Sequence, residues 1–215
     1  MIEFKSVLAR YAKVEQREYQ KACIKDVVDA LNEKSDILIS LPTGAGKTMV
    51  YSPIVAEARE KKVRTLVLTA TKQAQNRVYS EIKKFLSKGD GSLIYGIQEY
   101  DCPTLKGKAE SWYCSENREE CKKAKVACAV IQSEKDYHEK DLIITNFFKF
   151  LLASSSGNYG IIVLDDSHSF ENSIEQAYQL SVRASEGTYL YDEANVSAGV
   201  KKFVGDFLNI FAQVF

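Results

Sequence analysis

No stretch of this 215-residue sequence is long and apolar enough to cross a bilayer. The best runs, "DILISL", "FFKFLL" and "GIIVL", are short and interrupted, whereas a spanning helix needs about 20 apolar residues. The opening "MIEFKS" has no apolar signal core, so secretion is not expected. An excess of one charge is lacking too. The 29 basic residues are matched by 29 acidic ones, so a basic surface for a nucleic acid must be local. There is no internal repeat and no low-complexity tract, which excludes a repeat array. Together these absences point to a cytoplasmic protein, or a nuclear one in a eukaryote, with no membrane partner. In such a compartment the five cysteines are not expected to form structural disulfides.

What is present is a globular composition, 45% hydrophobic and 27% charged, enough for one sizeable domain plus an appendage. Apolar runs at 36–42, 63–71, 91–96, 141–146 and 159–166 read as strands. Helical patterns follow the first run as far as residue 59 and the second over 72–86. A short helix separates the last two strands. Strands alternating with helices predict an α/β fold: a parallel sheet covered on both faces, with ligands at the carboxyl ends of its strands. Between 100 and 140 this rhythm breaks, in a charged stretch that holds four of the five cysteines and the only tryptophan. Further on, Val200, Phe203, Val204, Phe207, Leu208, Phe211, Val214 and Phe215 fall on one helical stripe. A helix docked on the sheet is one reading of it; the start of a further, truncated helical region is preferred.

Two motifs carry chemistry. "LPTGAGKT" lies where a strand turns into a helix, with Leu41 where the strict phosphate-loop pattern has glycine. Gly44 and Gly46 let the backbone approach phosphate oxygens, and the amides at the helix start point at the anion. Thr43, Gly44, Ala45, Gly46, Lys47 and Thr48 are therefore expected to hold a nucleotide. Lys47 would reach the β- and γ-phosphates and the Thr48 hydroxyl would ligate Mg2+. "IIVLDDSHSF" ends a strand in two acids. Asp165 suits the magnesium acid and Asp166 the base that activates water. Alone, two acids after a strand are usually solvated turn residues; after a phosphate loop the functional reading is favoured.

In order along the chain, "REYQ", "LPTGAGKT", "TATKQAQNRV", "LKGKAESWYC", "IITNFFKFLL" and "DDSHSFEN" together resemble the first motor domain of a superfamily 2 DNA helicase of the DinG/XPD-like, DEAH-type group. The resemblance implies a RecA-like phosphate-loop domain, with a helical cysteine-bearing insertion, that uses ATP and Mg2+ to move on single-stranded or forked DNA with five-prime to three-prime polarity. It divides the chain into 1–99 and 141–180 for the motor domain, 100–140 for the insertion, and 181–215 for the start of an arch-like helical region. By the same resemblance Arg17 and Gln20 read adenine, and Thr69, Thr71, Gln75, Thr145 and Asn146 contact the DNA backbone. His168 couples the nucleotide site to a second RecA-like motor domain that this sequence does not include. Plainer roles stand beside these: strand-end hydrogen bonds for Thr69, Thr71 and Gln75, and a helix cap for Thr145 and Asn146.

Asp166 departs from the family, which has glutamate there. A carboxylate one methylene short sits roughly 1 Å from its ideal place, and such misplacement costs on the order of 10²-fold in rate. Without the second motor domain an arginine finger is also missing, worth ~10³–10⁵ in turnover. The alternatives to an ATP-dependent helicase are therefore a nucleotide-gated binding module with little turnover, or another nucleic-acid-stimulated NTPase such as a restriction or remodelling subunit.

Cys102, Cys114, Cys121 and Cys128 are separated by 11, 6 and 6 residues. Family resemblance implies a four-iron four-sulfur cluster, which needs converging thiolates. If 115–132 were one straight helix, Cys121 and Cys128 would be about 10.5 Å apart along its axis and could not share a cluster well. A broken helix with a cluster, buried free thiols, and zinc remain open readings, and Cys23 suits the core. Lys106, Lys108, Lys122, Lys123 and Lys125, with Trp112 and Tyr113 among them, suit either single-stranded DNA or a solvated face.

Overall fold

The computed structural model describes residues 1–12, 14, 17–87, 91–123, 127–152 and 157–178, without the side chains of 123 and 176–178. The stripe expected over 200–215, and with it the region 181–215, lies outside them.

Two amphipathic helices come first, α1 (Phe4–Tyr11) and α2 (Glu18–Asn32). α2 buries Gln20, Ile24, Val27 and Val28, one stripe at helical spacing. After the glycine loop, α3 (Lys47–Glu60) is buried continuously from Val50 to Ala58. β1 (Thr65–Thr69) leads into α4 (Lys72–Lys83), which Thr71 caps by accepting the Ala74 N–H at 3.1 Å. β2 (Ser92–Leu93) is short. Next come the antiparallel pair β3 (Asp101–Cys102) and β4 (Gly107–Lys108) and the helices α5 (Ser111–Glu116), α6 (Arg118–Lys123) and α7 (Ala129–Glu139). β5 (Leu142–Asn146), α8 (Phe147–Leu151), β6 (Ile161–Leu164) and α9 (His168–Tyr178) complete the described chain.

The main sheet has the order β2-β5-β1-β6, with parallel pairing throughout. Side-chain alternation fills both faces. Val67, Leu142 and Ile144 pack with Val55 of α3 and Val78 and Ile82 of α4. Leu66, Leu68 and Ile143 pack with Phe147 and Phe150 of α8 and Phe170 of α9. A parallel sheet buried on both faces is what near-continuous apolar strands require, and this is a RecA-like α/β arrangement.

Two expectations are corrected. The run at 36–42 is not a strand. Ile39 and Leu41 pack on the core, but Ile37 and Leu38 are exposed and no backbone pairing is made. β6 pairs with β1 alone, and the run makes no ladder with its open edge; apolar composition by itself does not make a strand. The continuous helix considered over 115–132 does not form either: the chain bends at Asn117 between α5 and α6, and Ala127 and Cys128 are non-helical before α7 begins at Ala129.

Candidate nucleotide site

The glycine loop turns the chain from the unpaired run into α3. Gly44 and Gly46 both have φ of +81°, a left-handed backbone that side chains rarely adopt, and Gly46 is the cap position of α3. This turn leaves the first amides of α3 free to face an anion. Gln20, only 3% exposed, braces the loop from α2. Its Nε2 donates to the Ala45 carbonyl at 2.8 Å, and its Oε1 accepts from the Tyr11 hydroxyl. Tyr19 adds a second donor to the Ala45 carbonyl at 2.6 Å. A Cβ on Gly46 would come within 2.5 Å of Gln20 Nε2 and displace that amide from the loop, and the left-handed φ disfavours any side chain there. Beside the loop, Val14, Arg17, Gln20, Gly44, Gly46 and Met49 line a cleft of about 190 Å³.

The acids stand opposite. β6 ends at Leu164, and the Asp165 N–H continues the ladder to the Leu68 carbonyl at 2.9 Å. Asp165 is thereby held at the carboxyl end of the sheet and is 6% exposed. Its neighbour Asp166 takes a left-handed φ of 53° and points its Oδ1 to within 3.7 Å of Lys47 Nζ. Burial raises the Asp165 carboxyl above the usual carboxylate range. The Asp166 charge adds to this, while Arg77, Lys47 and Tyr51 oppose it. Asp165 Oδ2 is buried without a hydrogen-bond partner. His168 opens α9 and is exposed; two residues on, Phe170 is buried against Phe147 with ring centroids 4.9 Å apart.

This donor set fits a magnesium ion. An orphaned buried carboxylate oxygen on Asp165 and the nearby Thr48 hydroxyl are hard oxygen ligands. Lys47, at the same helix start, brings a positive charge to the site, 3.7 Å from Asp166 Oδ1.

The other expected residues divide. Thr69, Gln75 and Thr145 are fully buried, so their side chains present no surface to a polymer in this state. Gln75 Nε2 and Thr145 Oγ1 each donate to the Ile94 carbonyl at 2.9 Å, and Thr69 Oγ1 donates to the Thr71 carbonyl at 3.2 Å. Thr71 is exposed, and Asn146 is half-buried, capping α8 by accepting the Lys149 N–H at 2.7 Å. Both occupy carboxyl ends of strands.

Cys102, Cys114 and Cys128 are free thiols of one small core that also holds Ala109 and Val130, and Cys121, also a free thiol, lies outside that core. Burial pushes the Cys114 thiol up, and Cys102, Cys128 and Cys121 add to the rise, so the other three lie within electrostatic reach of Cys114. Yet among the described residues no three of His, Cys, Asp and Glu are close enough to hold one metal ion. Cys23 stands apart on α2, partly buried.

Sequence reading missed the tyrosines. Tyr51 follows Lys47 by one helical turn, so its place beneath the site was legible from spacing; an apolar stripe hid it. Tyr11 and Tyr19 reach the loop only through the packing of α1 and α2, which no local signal announces. Among the described residues no helix is long and apolar enough to cross a membrane.

Comparisons agree with this geometry. The chain is 29% identical over 120 residues to a protein named probable ATP-dependent helicase from Methanocaldococcus jannaschii, covering 54% of this chain and 18% of that one. It is 34% identical over 94 residues to the ATP-dependent DNA helicase DinG of Escherichia coli strain K12, covering 40% and 13%. It is 35% identical over 63 residues to the ATP-dependent RNA helicase DBP9 of Debaryomyces hansenii, covering 26% and 11%. The chain thus spans less than a fifth of the length of these relatives. Residues 13–189, which contain the loop, the sheet and both acids, match the family described as type III restriction enzyme, res subunit, and the chain belongs to that family.

Proposed function

We propose that this chain is the nucleotide-binding half of an ATP-dependent helicase of the DinG/XPD-like group, in which ATP hydrolysis drives movement on single-stranded DNA. The observation that carries the reading is the meeting of Lys47 and Thr48, at the start of α3, with a buried Asp165 that keeps one oxygen unpartnered. Thr48 and Asp165 hold magnesium, which neutralises charge on the phosphates. Lys47 binds the terminal phosphates, and its charge favours transfer by stabilising the oxygens on which negative charge spreads. Asp166 takes the proton of the attacking water. Arg17 and Gln20 border the cleft in which the base sits. Thr71 and Asn146 offer the polymer backbone their exposed ends, with Thr69, Gln75 and Thr145 supporting them from beneath. His168, exposed at the start of α9, faces a second motor domain in the whole protein.

For the insertion we infer a four-iron four-sulfur cluster held by Cys102, Cys114, Cys121 and Cys128. The gathering of Cys102, Cys114 and Cys128 in one small core, with Cys121 within electrostatic reach of Cys114, supports it, although the side chains as placed do not form a metal-holding group.

The test is ATP hydrolysis by the whole protein with single-stranded DNA, duplex DNA and RNA offered separately. Stimulation by single-stranded DNA, lost in Lys47→Ala, is the expected result. A second reading, nucleotide binding with little turnover, draws on the shorter Asp166 and its contact with Lys47. Tight ATP binding without stimulated hydrolysis would select it. The family's description suggests a third, a restriction subunit, and stimulation by duplex DNA alone would favour that one.

A further inference from the structure

Seven buried side-chain polar atoms lack a hydrogen-bond partner among the described residues, and two of them belong to neighbours at the nucleotide site: Tyr51 Oη and Asp165 Oδ2. The Tyr51 ring lies in the apolar cluster between α3, α4 and the sheet, with Val55, Val67, Val78, Ile82, Leu142 and Ile144. Phenylalanine would fill that volume equally well. The hydroxyl is therefore superfluous to packing, and an unpartnered buried hydroxyl is destabilising. Its position explains it. The hydroxyl interacts with Thr48 on its own helix and with Asp165 at the end of β6, without reaching hydrogen-bond geometry to either in this state. It thus stands beside both residues that fit the magnesium ion.

We propose that Tyr51 is a positioning residue of the magnesium centre: its buried hydroxyl donates to the Asp165 carboxylate in the loaded state and sets the orientation of that carboxylate relative to Thr48. The inference rests on the magnesium–nucleotide reading of the site. It predicts a division of labour along α3, in which Lys47 binds phosphate and Tyr51, one turn later, orients the acid that serves the metal.

Equilibrium binding of a fluorescent ATP analogue by the 215-residue chain, in EDTA and across a Mg2+ titration, tests it. Tyr51→Phe should leave affinity in EDTA within about twofold. It should raise the half-saturating Mg2+ concentration by about tenfold to a hundredfold, as expected for one lost hydrogen bond to a charged group. Its melting temperature without ligand should be unchanged or higher, since an orphaned hydroxyl has gone. Tyr51→Leu, which loses the ring as well, separates packing from the hydroxyl. A rise in half-saturating Mg2+ with Tyr51→Leu but not with Tyr51→Phe would overturn the inference. If the unaltered chain bound the analogue with no Mg2+ dependence, the magnesium reading of the site would fall, and this inference with it.

Discussion

Lys47 Nζ lies 3.7 Å from Asp166 Oδ1, so the residue proposed to bind phosphate and the residue proposed to activate water are paired across the site. Both side chains are about one-third exposed, and such a pair is worth at most about 1 kcal/mol. Nucleotide binding must part them. In Asp166→Ala, ATP should bind no more than about fivefold tighter while turnover is lost. In Asp166→Glu the carboxylate advances by roughly 1 Å, and single-turnover hydrolysis should rise by about 10-fold to 100-fold. An unchanged or lower rate would show that the aspartate is already well placed.

Asp165 exchanges stability for function. Burial first, and then the Asp166 charge, lift its carboxyl above the ordinary value of 3.8. The folded state therefore holds the proton more tightly than the unfolded chain does. The stabilisation this gives is complete below 3.8 and is lost as pH rises through the raised folded value. Near neutrality, with no metal bound, Asp165→Asn should thus melt about 2–4 °C higher. The gap should close as pH is lowered toward 4. The same variant should lose Mg2+-dependent nucleotide binding. A lower melting temperature at neutral pH would contradict the assignment of an uncompensated buried charge.

Gln20 has two possible employers, the base and the loop, and the geometry makes the second explicit. Gln20→Ala removes the donor to the Ala45 carbonyl and strands the Tyr11 hydroxyl. A stability loss of about 1–2 kcal/mol should follow, measurable by urea titration. Comparing ATP with GTP then separates the roles. Equal weakening of both means loop bracing alone; selective loss of ATP preference means that the amide also reads adenine.

The four insertion thiols should bring iron and acid-labile sulfide with the protein when it is purified anaerobically, together with broad visible absorbance. Cys114→Ser, at the thiol that feels all three of the others, should abolish the colour and lower the melting temperature. Colourless protein carrying zinc, or no metal, would replace the cluster with the corresponding alternative.

The longer strands of the sheet were legible because β1, β5 and β6 are apolar runs bounded by turn residues, and the burial of the two inner ones, β1 and β5, is written in composition. The run at 36–42 looks the same in sequence. It fails as a strand because pairing belongs to the partner as much as to the run. The loop and the two acids were legible because phosphate and metal chemistry dictate residue types at fixed places. Contact roles were less so. Thr69, Gln75 and Thr145 match a recognition pattern by position, but their hydroxyl and amide groups are used inward; for Gln75 and Thr145 that choice depends on where the Ile94 carbonyl comes to rest, and Thr69 turns to the Thr71 carbonyl.

That carbonyl has a mechanical meaning. Ile94 O accepts from Gln75 on α4 and from Thr145 at the end of β5, and both bonds are buried. A carbonyl oxygen has two lone pairs, and here both are engaged. Neither the segment after β1 nor the segment after β5 can slide without stranding a buried donor. The two ledges at the carboxyl end of the sheet are yoked through a single atom, and a push delivered to Thr71 arrives at Asn146 as well.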